Sequence, residues 1–253
     1  MPNGDLAQLA CGRFERDTEI GEVLENIAGT IDTLEQRLFL LLETSEDDIT
    51  LLGPFFARTL LESVTTALIG RLDPFRILFV KRMQQHGSYD LGKPLKTAIR
   101  WNGDVIDESK GPQDLWKLDK EFRNIERGLL GSYYGAIFWT PAFETLLDYP
   151  TEDQDFFADY RAIDPENFVA RMRGESLELY SGLSKGIHGE FVIKPGTIYD
   201  KRSVLDRVGR TMRHCATLAL VSHGIDSAMC RLDLADAVKI YARFRSRSDQ
   251  YDK

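Results

Sequence analysis

The chain has 253 residues, 43% of them hydrophobic and 28% charged, and a formal net charge of −8. That length and balance suit a globular chain with a substantial core and exclude wholesale disorder. The acidity excludes nucleic-acid binding driven by overall charge, so any such binding needs a local basic patch or a partner.

Residues 1–16, "MPNGDLAQLACGRFER", show no basic segment leading into an apolar run, so no secretory signal is read and the stretch is expected to be flexible. The strongest periodicity follows. Ile20, Leu24, Ile27, Ile31, Leu34, Leu38 and Leu41 alternate four and three apart, which predicts a long amphipathic helix over 17–45. A seam this regular packs on another helix, in this chain or in a second copy, and self-association through 20–41 is expected. "TSEDD" (44–48) then offers N-cap residues, and a helix is predicted from about Pro54 to Ile69, with Pro54 in its first turn. Arg58 and Glu62, with Arg71, Asp73 and Arg76 of "GRLDPFR", place charges on otherwise apolar helices and predict an internal structural network.

Asp73-Pro74 starts a helix through about Gln85. Residues 87–112, rich in Gly, Pro and Asp, read as one long irregular loop or a short hairpin turning at Asn102-Gly103, placed to cover a site. Helix returns over 112–128 and through 129–149, with a break near Pro141. Asp164-Pro165 opens another helix with an apolar face at Phe168, Val169, Met172, Leu177 and Tyr180. Helices over about 201–223 and 226–245 complete the chain. The fold class is therefore all-α, a multi-helix bundle of about seven or eight helices forming a single domain over 1–253.

Phosphate-loop, dinucleotide, Cys-x-x-Cys and His-Glu-x-x-His signatures are missing from the sequence, so no cofactor and no metal are expected. "DVIDESKG" offers Glu108 and Lys110, with Asp90 or Asp104 upstream, as pieces of a metal-dependent nuclease. That chemistry needs adjacent strands, so a solvated loop is the preferred reading. Cys11, Cys215 and Cys230 are odd in number and widely spaced; they suit a reducing compartment, and a cytoplasmic location is expected. No apolar run approaches the roughly 18 residues of a membrane span. Arg243, Arg245 and Arg247 read as a solvated helix end, with a phosphate-contacting arm as the alternative.

Histidine is the usual acid or base near neutral pH, and there are four. His86 and His223 each precede a glycine at a helix end, where a cation suits the macrodipole. His188 lies in "LYSGLSKGIHGEF", where Gly182, Gly186 and Gly189 read as C-capping positions. Lys185 and His188 are then favourable charges there, and Ser184 bonds backbone. Alternatively the small residues let another surface approach His188, which makes His188, Lys185 and Ser184 secondary site candidates. His214 follows Arg207 by seven residues and Arg210 by four, so all three return to one helix face. A guanidinium and an imidazole converging there suit phosphate binding and proton transfer, as metal-free RNA cleavage requires. A polar stripe with a satisfied histidine is the structural alternative.

The spacing Arg207-x6-His214 resembles the R-x4-6-H motif of the HEPN superfamily of helical bundles, which commonly dimerise. The "YSGLSKGIHG" helix end is similar to those of helical proteins of bacterial antiviral defence and abortive infection. The resemblance covers the eight motif residues; the rest of the chain shares only helical character. It implies a component of a defence or toxin–antitoxin system, in active members a metal-independent ribonuclease built from two protomers. Arg207 would then stabilise the phosphate and His214 act as acid or base. Val208 stands where the family has a polar residue, so the resemblance implies either a ribonuclease or a catalytically degenerate relative. Two other readings are a non-enzymatic scaffold for a larger nucleic-acid-processing partner, and a small-molecule-sensing bundle with the 87–112 loop as lid. The partners expected are a second copy or a hetero-complex, with RNA at a local basic patch and no membrane.

Overall fold

In the computed structural model, which describes residues 4–90, 97–107, 127–150, 158–187 and 200–252, the described residues form helices and no strand. The helices are α1 (Asp5–Cys11), α2 (Glu19–Leu41), α3 (Glu46–Leu72), α4 (Pro74–Gln84), α5 (Ser132–Tyr134), α6 (Thr140–Leu147), α7 (Ala158–Arg161), α8 (Pro165–Ile187), α9 (Lys201–Val221) and α10 (Leu234–Ser248). This is the all-α bundle expected. Four starts share one device: Thr18, Ser45, Asp73 and Asp200 each accept a hydrogen bond from the backbone N–H three residues on. Each thereby satisfies one of the donors that a helix N-terminus leaves unpaired.

The centre of the bundle is α3, packed against α2, α8 and α9. Leu60, Leu61, Val64, Ala67 and Leu68 are all fully buried and share one broad apolar stripe of this helix. It starts at Glu46, and Pro54 lies in its interior instead of its first turn. The Ser45 cap, buried Ile49 and the close approach of Gly53 to Val204 on α9 hold the first turns. That packing outweighs the roughly 3 kcal/mol that an interior proline costs.

The α2 seam is buried within this single chain. Ile20, Leu24, Ile31, Leu34, Leu38 and Leu41 are buried, Ala28 replaces the half-buried Ile27, and α1 and α3 cover them. The expected self-association surface along 20–41 is thus already occupied by the chain's own helices.

Residues 5–11, expected to be flexible, instead form α1, whose Leu6, Ala7, Leu9, Ala10 and Cys11 are fully buried. The cause is tertiary. Asp32 accepts from the Gly4 N–H (2.7 Å) and Glu35 from the Leu6 N–H (3.3 Å), so two α2 carboxylates cap the N-terminus of α1. Arg243 pairs with Asp5 (2.7 Å) and Arg247 with Glu35 (2.9 Å). Two arginines of the expected solvated tail therefore lock α10 onto α1 and α2. Directly after α1, Gly12 has φ +69° and ψ −154°, and a Cβ there would collide with the Cys230 carbonyl oxygen. Gly12→Ala is expected to cost about 2 kcal/mol, the range for backbone strain in a glycine-only region, read from urea midpoints. An unchanged midpoint would mean that this turn relaxes freely.

Other boundaries shift. Residues 226–233, expected in the last helix, are non-helical, and α10 begins only at Leu234. The Met229 N–H donates to the Arg71 carbonyl and the Arg13 N–H to that of Cys230, so tertiary bonds claim this segment. No hairpin forms at Asn102-Gly103. Trp101–Val105 is instead a wide turn closed by Ile106 N–H on the Trp101 carbonyl (2.9 Å), with Gly103 at φ +101°. The break near Pro141 takes the form of a wide turn, Gly135–Trp139, just ahead of α6. On α8, Leu177 is 40% exposed, and Ser176 and Leu179 take its place in the core. Of the helix expected over 112–128, residues 112–126 lie outside the described residues and 127–128 are non-helical. Among the described residues, no helix is long and apolar enough to cross a membrane.

Candidate functional site

A groove of about 1100 Å³ opens between α2, α3, α4 and the 98–105 turn. Its apolar wall comes from Val23 and Ile27 of α2, Ile77 and Val80 of α4, and Val105. At one end Trp101 stacks on Tyr180 of α8, ring centroids 4.2 Å apart and nearly parallel. Arg58 lies over the same Tyr180 ring and donates to its hydroxyl (2.7 Å), while its Nε donates to Glu62 (3.3 Å). The Arg58–Glu62 pair expected from sequence therefore forms, and it reaches across to α8. Arg76 does not join it: Arg76 pairs with Asp73 (3.0 Å) and Asp104 (3.3 Å) and fastens the 98–105 turn to α4.

Trp101 is only 8% exposed, and its indole Nε1 has no hydrogen-bond partner. A buried N–H left unpaired costs about 1–3 kcal/mol; this one is sealed from the groove, which Trp101 closes at one end with its ring.

The second candidate is the α8–α9 interface. Arg207, Arg210 and His214 all face α8, as their spacing predicted. Arg207 lies against Gly182, where a Cβ would meet its guanidinium. Arg210 makes a forked pair with Glu178 (2.6 and 2.9 Å) and approaches Glu175 (3.9 Å). This pairing holds the Glu178 carboxyl below its ordinary range and raises Arg210 further. His214 Nε2 is 2.7 Å from the Ser176 hydroxyl, and its Nδ1 is 3.4 Å from a Glu175 oxygen, an electrostatic contact without hydrogen-bond geometry. Burial pushes Glu175 up, but His214, Arg210 and Arg171 together outweigh it and hold the carboxyl low.

Ser176, His214 and Glu175 thus repeat the order nucleophile, base, carboxylate. Exposure decides against that chemistry: Ser176 is fully buried, and the His214 side chain has no exposed area. The trio satisfies a buried imidazole. Beside it lies a small cleft of about 120 Å³, lined by Arg171, Arg210, Arg213, Arg245, His214 and Tyr160.

The remaining candidates separate clearly. Ser184 donates to the Tyr180 carbonyl (2.6 Å), a backbone bond within α8, and Lys185 is exposed. His188, Glu108 and Lys110 lie outside the described residues. Asp104 is engaged with Arg76 and with the Arg100 N–H (2.9 Å). Among the described residues no cluster of His, Cys, Asp and Glu could hold a metal ion. His86 is exposed and bonds Ser88 (2.7 Å). His223 is not the helix-end cation that its neighbouring glycine suggested. It is fully buried, and burial, then Arg71, push its pKa down to about 2, so it is neutral. Burial raises the Cys11 thiol to about 12 and Cys215 higher still, which removes both as nucleophiles.

Sequence reasoning missed Trp101 as a site residue, and also the polar face of α3 that lines the groove at Thr59, Ser63 and Thr66. The signal was present: those three recur at helical spacing in "TLLESVTT". No protein-family model, curated protein or solved structure matches the chain.

Proposed function

We propose that the chain is a small-molecule-binding helical bundle whose site is the groove between α2, α3, α4 and the 98–105 turn. The observation that carries this reading is a roughly 1100 Å³ concavity lined both by the apolar Val23, Ile27 and Val80 and by the hydroxyl side chains of Thr59, Ser63 and Thr66. A mostly apolar pocket with a few convergent polar groups is the usual form of such a site. The wide turn at Trp101, part of the 87–112 stretch expected as a lid, lines one side of it. The test is a methyl-detected NMR screen of a chemically diverse library, following Ile27, Ile77, Val80 and Ile99. At least one compound class is expected to shift these methyls, and saturating it a hundredfold above Kd should add about 2.7 kcal/mol of stability. A screen in which no compound moves them would overturn the reading.

A second reading is favoured by one specific observation: Arg207, Arg210 and His214 share the α8 side of α9, and three more arginines converge on the cleft beside His214. In it the chain is a HEPN-like component of a bacterial defence or toxin system, catalytically degenerate, dimeric or held in a hetero-complex in the cytoplasm. The inaccessible imidazole supports degeneracy over ribonuclease activity. Incubated with RNA, the protein and its Arg210→Gln variant are expected to show the same lack of cleavage. Cleavage by the protein that disappears in Arg210→Gln and in His214→Ala would instead establish a ribonuclease.

A further inference from the structure

We infer that the small cleft between α7, α8, α9 and α10 binds a terminal phosphoryl group, the dianionic end of a phosphomonoester or phosphate itself. This site is separate from the groove and requires no RNA cleavage. It is marked by an imbalance of charge. The whole chain carries a net charge of −8. Yet the described residues lining this cleft include four arginines, Arg171, Arg210, Arg213 and Arg245, and one carboxylate, Glu175. Like charges brought together repel, so such a convergence is costly unless an anion answers it.

The carboxylates nearby are already shared. Arg210 is forked onto Glu178 (2.6 and 2.9 Å), which satisfies that one guanidinium. Glu175 is divided between His214 Nδ1 (3.4 Å) and Arg210 (3.9 Å), with Arg171 one turn before it on α8. Arg245 is 4.0 Å from Asp249, the outer limit of an ion pair. Each guanidinium has five N–H donors, so one that already holds a partner can still serve an oxygen in the cleft. The neutral hydroxyls cannot. Thr217 donates to the Arg213 carbonyl (2.9 Å), so the Tyr160 hydroxyl, 2.6 Å from Thr217 Oγ1, spends its own proton there. The donors facing a ligand are therefore guanidinium groups, which select for negative charge and pair well with phosphate oxygens.

Arrangement and size narrow the anion. Arg171, Arg213 and Arg245 line the cleft from three different helices, α8, α9 and α10. A terminal phosphoryl group presents three strong acceptor oxygens and nearly two negative charges at neutral pH. An internal phosphodiester carries a single charge and has both ends of its chain to accommodate. The cleft measures about 120 Å³, room for about four waters at ~30 Å³ each. That space takes one tetrahedral oxyanion end-on, and whatever the phosphoryl group is attached to must remain outside.

Isothermal titration of the full chain with inorganic phosphate, methyl phosphate and dimethyl phosphate, at fixed ionic strength, tests this. The two dianions are expected to bind, and the monoanionic dimethyl phosphate at least about ten-fold more weakly. Arg245→Gln and Arg171→Gln should each weaken inorganic phosphate about ten-fold or more, the loss typical of a charge-assisted hydrogen bond. Arg171 is exposed, so its variant should keep an unaltered circular dichroism melt and carries the test even if Arg245→Gln fails to fold. Tighter binding of methyl phosphate than of inorganic phosphate upholds the inference and names a phosphomonoester as the source; equal or weaker binding upholds it with phosphate itself. Dimethyl phosphate binding as tightly as the dianions overturns it. So does phosphate affinity indifferent to both arginine changes, or no binding of either dianion in the millimolar range.

Discussion

Replacing Arg71 with leucine is expected to destabilise the protein by about 3–5 kcal/mol, the loss typical when one member of a buried charged network is removed. Arg71 is fully buried near the end of α3 and pairs with no carboxylate among the described residues. Its charge is met by dipoles instead. Nε donates to the Met229 carbonyl (3.0 Å), Nη1 to the Ser222 hydroxyl (2.7 Å) and to the Leu9 and Ala10 carbonyls (both 3.4 Å), and Nη2 contacts His223 Nδ1 (3.1 Å). Leu9 and Ala10 are at the C-terminal end of α1, where unpaired carbonyls and the helix dipole favour a cation. Burial lowers the Arg71 pKa to about 10, which leaves it charged at neutral pH. Leucine would take this donor from the Met229 and Ala10 carbonyls and the Ser222 hydroxyl, while the Leu9 carbonyl keeps His223 Nε2–H and His223 Nδ1 keeps the Leu232 N–H. Lysine should recover only part of the loss, because a point ammonium cannot serve a forked set of acceptors. Urea unfolding measures both, and a cost below about 1 kcal/mol for the leucine variant would show that the guanidinium does not hold these segments together.

The second large effect is acid sensitivity carried by one neutral histidine. His223 donates from Nε2 to the Leu9 carbonyl (3.0 Å), while its Nδ1 accepts from the Leu232 N–H (3.1 Å) and faces Arg71. With donors on Nδ1, that nitrogen has no room for a proton, and the folded pKa falls to about 2 through burial and the Arg71 charge. In the unfolded chain His223 titrates near 6.5. Above that pH neither state binds the proton and the contribution is complete. As the pH falls below it, the unfolded state takes up a proton that the folded state refuses, and stability drops by about 1.4 kcal/mol per unit. Asp32 and Glu35, raised by burial, act in the opposite sense in the carboxylate range, so the slope is best read between about pH 6.5 and 5. His223→Gln retains a donor and an acceptor without titrating. Its denaturation midpoints should be flatter over this window; parallel pH profiles for the two proteins would refute the assignment.

Local chemistry carried most of the helical pattern. Thr18, Asp73 and Asp164-Pro165 mark helix starts because a short polar side chain or a fixed φ solves a problem set by its immediate neighbours. The α2 seam is legible for the same reason, since its apolar residues must share a face whatever covers them. Arg207, Arg210 and His214 do face one neighbour, as their spacing required.

Local chemistry did not extend to what those faces meet. The seven residues of α1 have too few turns for a periodic signal, and their order depends on Asp32, Glu35 and Arg71, which lie in other helices. Arg71 and His223 are 152 residues apart in sequence, and the neutral state of the histidine follows only from that meeting. The buried Ser176–His214 contact across α8 and α9 turned a proposed acid or base into a packed core group. By itself, then, the sequence determined the helices and the sides on which their polar residues sit. The tertiary structure decided which polar groups are sealed, which are neutral, and where a groove opens. Exposure and protonation depend on every element that packs around a side chain, and no single stretch of sequence contains them all.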